Sequence, residues 1–118
     1  MVLVLPFPDS RLLPNQKLHW AIKYQSAQAA KTMAFIEASR FRQKTPLPSV
    51  SVKVTWFPPD NRRRDEDNYT RATKHYMDGI VQAGLIEDDN HRVIKDVKRG
   101  FGPPDKGNPR TEIEIKEA

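Results

Sequence analysis

Apolar and polar positions alternate most cleanly over residues 50–57, "VSVKVTWF", and that period of two predicts a strand with one buried face. The opening "VLVLPFP" reads as an apolar strand that its prolines end. Residues 25–43, "QSAQAAKTMAFIEASRFRQ", are alanine-rich and free of Gly and Pro. They gather Ala30, Met33, Ala34 and Ile36 to Ala38 near one side, which predicts a helix with those residues turned inward. "TPLPS" breaks that helix, and residues 8–20 read as a turn-rich arm before it. A second helix is expected from about Asn68 to Gln82, capped by Asp65 or Asp67 and stopped at Ala83–Gly84. "HRVIKDVKRGF" and "RTEIEIKE" supply two more strands, with "GPPDKGNP" between them as a hairpin loop. The order β-α-β-α-β-β predicts an α+β fold, a small mixed β-sheet packed with two main helices, in one domain spanning residues 1–118.

Composition narrows the class. With 37% hydrophobic and 30% charged residues the chain suits a globular domain with one modest core. It has no apolar run of the roughly 20 residues that a membrane span needs, so no membrane partner is expected. "MVLVLPFP" lacks the basic start of an export signal, which leads to the expectation of a cytoplasmic protein. The absence of cysteine excludes disulfides and thiolate metal sites.

Charge points toward an anionic partner, nucleic acid first: the formal net charge is +5. Its distribution says more. Residues 10–44 hold seven basic side chains against one acid, Glu37, whereas the acids concentrate at residues 60–67 and 87–96.

The stretch "NRRRDEDNYTRATK", residues 61–74, sets three arginines directly against three acids. Either the two signs neutralise each other on a solvated face, or Arg62, Arg63 and Arg64 touch an anion while the carboxylates touch a cation. In an extended segment Asp65 and Asp67 point the same way, with Glu66 turned aside. Two carboxylates held together repel unless a positive group lies between them, and Mg²⁺ is the usual hard cation for such a pair. One of the two can equally serve as a helix cap. "EDDN", Glu87 to Asn90, is either a solvated loop or part of the same site. A helix of about 15 residues separates its two ends by roughly 20 Å, so Asp89 reaches the first pair only if the loop runs back along the helix. Lys74 lies two turns beyond Asp67 on one helical face, and Arg71 lies one turn beyond it; either can simply form an ion pair within the helix. His91 reads as a surface histidine or a metal ligand, and Trp56, Phe57, Tyr76 and Met77 as packing.

"RRRDEDN", a helix, "MDGIVQAGLIEDD" and two final strands together resemble the RusA-type Holliday-junction resolvases, crossover junction endodeoxyribonucleases common in phages and prophages. "LPFPDSRLLPNQKLHW" also resembles that family's opening. The likeness covers most of the chain, and residues 60–90 are its specific part. It implies a Mg²⁺-dependent homodimeric endonuclease, with Mn²⁺ a possible substitute, that cuts branched DNA by paired symmetrical nicks. It places the metal-binding aspartates on Asp65, Asp67 and Asp89, and the catalytic cation on Lys74 or, one turn earlier, on Arg71. A metal-activated water would attack the scissile phosphate. Asn15, Lys17, His19 and Lys23 would join Arg62 to Arg64 and Arg71 on DNA. Glu66 departs from the family pattern, where an apolar residue is common. The alternative is a branched-DNA-binding module of the same fold that does not cut.

Overall fold

The computed structural model describes residues 1–13 and 19–118. Four strands, β1 (Val2–Pro6), β2 (Val50–Phe57), β3 (Ile94–Phe101) and β4 (Arg110–Glu117), form one mixed sheet in the order β1-β4-β2-β3. Two helices, α1 (Trp20–Ser39) and α2 (Glu66–Gln82), cover one face. The chain is therefore α+β in the order β-α-β-α-β-β, with a short 3-10 turn at Ser10–Leu12 inside the first connection. Among the described residues no helix is long and apolar enough to cross a membrane.

The alternation read in β2 is borne out: Val50, Val52, Val54 and Trp56 are buried and their neighbours are not. In β4, Thr111, Ile113 and Ile115 do the same, paired antiparallel with β2 on one side and with β1 on the other. Each large apolar side chain so covered contributes roughly 1.5–3 kcal/mol. Strand β3 is the exception. Its residues alternate poorly and stay largely exposed, and it pairs only with β2, in parallel.

This pairing corrects the expected hairpin. Strands β3 and β4 flank β2 rather than each other, so residues 102–109 arch over the end of β2. There the Gly102 N–H donates to the Trp56 carbonyl at 2.8 Å, and the Asp105 N–H to the Pro58 carbonyl at 2.7 Å. A β-carbon on Gly102 would stand 2.6 Å from the Phe57 ring, so any other residue at this crossing would have to displace that ring. The physical reason is burial. Only "TEIEI" has the two-residue period that a central strand requires, which leaves "IKDVKRG" for the edge.

Helix α1 starts and ends earlier than the alanine-rich stretch suggests. His19 caps it, its Nδ1 accepting from the Ala21 N–H at 3.2 Å, and Arg40 closes it. Its buried stripe is Ala30, Ala34 and Ala38, whereas Met33 and Ile36 are exposed, contrary to expectation. The stripe is small because α1 lies close against α2. A β-carbon at Gly79 would sit 2.2 Å from the Lys31 carbonyl oxygen and 2.9 Å from the Ala34 β-carbon. Each helix follows one strand and returns to start another. Since β1 and β2 both oppose β4, they run alike, and so do α1 and α2. The helix N-termini therefore lie at the same end of the molecule.

Candidate functional site

Helix α2 begins two residues before the expected start. Asp65 is its cap, with its Oδ1 accepting from the Asp67 N–H at 3.0 Å. Asp67 already lies in the first helical turn, so the extended-chain argument for the Asp65–Asp67 pair does not apply; the cap brings the two together instead. Glu66 and Asp67 sit where the positive end of the helix dipole favours acids. Gly84, at φ 82°, ends the turn after Gln82 in the left-handed conformation that glycine adopts without strain.

The buried side of α2 is Tyr69, Ala72, Thr73, Tyr76, Met77 and Ile80. Thr73 and Trp56 satisfy each other in the core: the indole N–H donates to the threonine hydroxyl at 2.9 Å, and that hydroxyl donates to the Tyr69 carbonyl at 2.8 Å. The flank left outside carries Asp67, Arg71, Lys74 and Asp78, spaced at i, i+4, i+7 and i+11.

Residues 85–93 do run back along α2. A bridge between Leu47 and Ile86 and the Glu87 N–H donated to the Leu47 carbonyl at 3.0 Å fix the start of this return. Asp88 and Asn90 shape its turn: Asp88 accepts from the Asp89 N–H at 2.8 Å, and Asn90 accepts from the Arg92 N–H at 3.0 Å. The return delivers Asp89 to Lys74, whose ammonium donates to its Oδ2. Lys74 also meets Asp78 Oδ1 at 3.3 Å. The hydrogen bond to Asp89 holds the Lys74 pKa above the usual lysine value; burial opposes it, and Asp78 reinforces it. The ion-pair alternative for Lys74 is thus realised with Asp78 and Asp89, not with Asp67.

Asp65 and Asp67 remain at the head of the helix. Seven residues at 1.5 Å each put Asp67 roughly 10 Å along the axis from Lys74 and its Asp89. Among the described residues no three acidic or histidine side chains form a group that could hold a metal. In donor chemistry the three aspartates suit a hard cation. Asp65 spends one oxygen on its cap, the Asp67 carboxylate accepts no hydrogen bond from a described residue, and Asp89 is engaged by Lys74.

The arginine run divides. Asp60, which the sequence did not mark, takes two of the three. Its carboxylate meets Arg62 at 3.0 Å and Arg64 at 2.8 Å. The Arg62 N–H and then the Arg64 guanidinium hold the Asp60 carboxyl below its usual pKa. The Arg64 side chain is only 11% exposed, and its guanidinium lies 5.5 Å from the centre of the Phe7 ring, so it ties this loop to the end of β1. Arg63 is exposed and has no ion pair among the described residues. The signal for Asp60 was present in "PPDNRRRD": an Asp two residues ahead of a backbone N–H makes an Asx turn. His19 and Lys23 stand at the N-terminal end of α1, and hence at the same end as Asp65 and Asp67. Asn15 and Lys17 lie outside the described residues.

A cleft of about 390 Å³ separates α2 from the edge strand β3. Thr70, Lys74, Asp89, His91 and Arg99 line it above a floor that includes Val52, Val54 and Val97. A larger hollow of about 450 Å³, between the end of β1 and α1, offers among the described residues only Asp9 and Arg11 as charged groups, and these two face each other at 4.0 Å.

No family model matches the chain. An uncharacterized protein of Xylella fastidiosa is 31% identical to it over 107 residues, which cover 85% of this chain and 70% of the relative.

Proposed function

The chain belongs to the same family as this Xylella fastidiosa protein, and for a member built this way we propose a Mg²⁺-dependent, structure-specific DNA endonuclease of the RusA type, resolving Holliday junctions by paired symmetrical nicks as a homodimer. The observation that supports it best is the return of Asp89 to Lys74, on the flank of α2 that also carries Asp67 and Arg71. A chance acidic loop has no reason to come back to the one face where the sequence set its other charged groups.

Asp65, Asp67 and Asp89 are the residues that would hold the ion, and a bound Mg²⁺ would supply Lewis-acid polarisation of the scissile phosphate and a lowered pKa for water. Lys74, charged and fixed in place, stabilises the negative charge that builds on the phosphate in the transition state. Arg71, one turn nearer the helix start, is the second cation on that flank. Arg63, His19 and Lys23 lie at the same end of the molecule and hold backbone phosphates by contacts that salt weakens. Arg62 and Arg64 act first on Asp60, shaping the loop that presents the aspartates.

A second reading, a branched-DNA-binding module that does not cut, draws on the ion pair that engages Asp89 away from Asp65 and Asp67. The test is nicking of a synthetic four-way junction by the wild type and by Asp89→Asn. Symmetrical nicks from the wild type alone are expected; equal nicking by both would remove Asp89 from the reaction.

A further inference from the structure

Strand β3 is one edge of the sheet, and it is basic. From His91 to Phe101 the chain carries Arg92, Lys95, Lys98 and Arg99 against a single acid, Asp96. Among the described residues none of these four cations has an ion pair, unlike Lys74, Arg110 or Arg64. The register decides where each one points. Val97 stands beside Val52, Arg99 beside Val54 and Phe101 beside Trp56, so these three share the face on which the helices pack. Yet α2 covers them only in part: Val97 is 36% and Phe101 37% exposed. Lys98 projects from the opposite face. Arg99 is therefore the one β3 cation that lines the cleft, facing Lys74 and Asp89 on the other wall.

The other polar groups of the cleft are mostly committed. Thr73 is bonded to Trp56 and Tyr69, Thr70 donates to the Glu66 carbonyl, and Asn90 holds its own loop. Lys74 shares its charge with two carboxylates. An anion entering the cleft finds Arg99 as its uncompensated cation, with two N–H groups in the fork that matches phosphate oxygens.

We propose that the cleft between α2 and the inner face of β3 is the nucleic-acid groove of this protein, and that Arg99 holds a backbone phosphate there, across from Lys74. This rests on the DNA-cutting reading for its substrate and extends it to a strand outside the aspartate–lysine constellation. The strand backbone would pass between α2 and β3 with its phosphate on Arg99. Phe101, its ring tilted against Trp56 at 5.2 Å and edge-on to Tyr69 at 5.4 Å, stands at the end of the groove nearest the head of α2.

The experiment measures the affinity of a fluorescent four-way junction in EDTA across a salt series, for the wild type, Arg99→Ala, Arg99→Lys and Lys116→Ala; the same proteins are then assayed for nicking with Mg²⁺. Arg99 is exposed and has no ion pair among the described residues, so its variants are expected to fold as the wild type does. Losing one phosphate contact should lower the slope of log affinity against log salt by about 0.9 and weaken binding about tenfold. Arg99→Lys should restore the slope but not all of the affinity, because lysine keeps the charge and loses the fork. Lys116→Ala, on the far face of the sheet, should match the wild type. An unchanged slope in Arg99→Ala, with the wild type binding and cutting junctions, would overturn the groove and leave the endonuclease reading intact. Slope loss in Arg99→Ala with no cutting by the wild type would keep the groove and remove the endonuclease reading. No binding of junction or duplex by the wild type would overturn both.

Discussion

Lys74 and Asp89 are 15 residues apart in the chain and meet at the middle of α2. The contact exists because residues 85–93 fold back along the helix before entering β3. It joins a cation from the helix with an acid from the loop that follows it, and sets both at the wall of one cleft. Asp78, one turn beyond Lys74, completes the arrangement. Arg71, although on the same flank, has no such partner among the described residues.

This asymmetry predicts the order of two alanine substitutions. Lys74→Ala should lower the nicking rate by about two to three orders of magnitude, as loss of a group that stabilises transition-state charge does. Arg71→Ala should cost less and act mainly on affinity. Single-turnover rates at saturating protein separate the two effects. The reverse order would move the catalytic cation one turn toward the helix start.

Asp67→Asn should abolish cleavage and leave junction binding unchanged or tighter, since it removes a negative charge from a surface facing phosphates. Binding measured without metal, beside a nicking assay with it, checks this. Joint loss of both would contradict the division between holding DNA and cutting it.

Tyr76 anchors α2 from inside the core. Its hydroxyl donates to the Pro6 carbonyl at 2.8 Å, joining α2 to the end of β1. Burial, with Asp9 adding to it, pushes the Tyr76 pKa up to about 12. The folded state thus holds this proton more tightly than the unfolded chain, whose tyrosines titrate near ~10. The stabilising effect is complete below that pH and is lost as pH rises toward 12. Absorbance titration should show one late tyrosine step that Tyr76→Phe removes. The variant should lose about 0.5–1.5 kcal/mol of stability at neutral pH. It stays at that modest level because Thr111 also donates to the Pro6 carbonyl, at 2.9 Å.

Gly79→Ala should destabilise the fold by about 1–3 kcal/mol, because its methyl group would press on the α1 backbone where nothing flexible can yield. Calorimetry against the wild type reads the effect directly. An unchanged melting temperature would mean that the helices can separate at this crossing.

Local rules made much of this fold readable in advance. Strand β2 matched its alternation, Asp65 served as the cap, and Gly84 stopped α2, each a matter of a few neighbouring residues. What escaped depended on distant partners. Nothing near "GPPDKGNP" says that β2 intervenes between the strands it connects. Nothing in "AQAAKTMAFIEA" says that a glycine on another helix will select the alanines over Met33 and Ile36. The site divides in the same way. Asp67, Arg71 and Lys74 were visible as charges at helical spacing, and Asp65 as a candidate cap. Helix length left the course of the loop after Gly84 open; the likeness to resolvases sent Asp89 to Asp65 and Asp67, and the structure brings it to Lys74 instead. Asp60, as the partner of Arg62 and Arg64, went unmarked although its turn signal was local. Arg99 became visible only with the β2–β3 register.

Metal-dependent cutting at a branch point is tested by incubating a mobile-core four-way junction beside a linear duplex of matching sequence, with Mg²⁺ and then with EDTA. Paired nicks at symmetrical positions in two strands of like polarity, only with Mg²⁺, and an intact duplex are expected. Tight junction binding without a nick in either Mg²⁺ or Mn²⁺ would contradict it and leave a protein that holds branched DNA without cutting it.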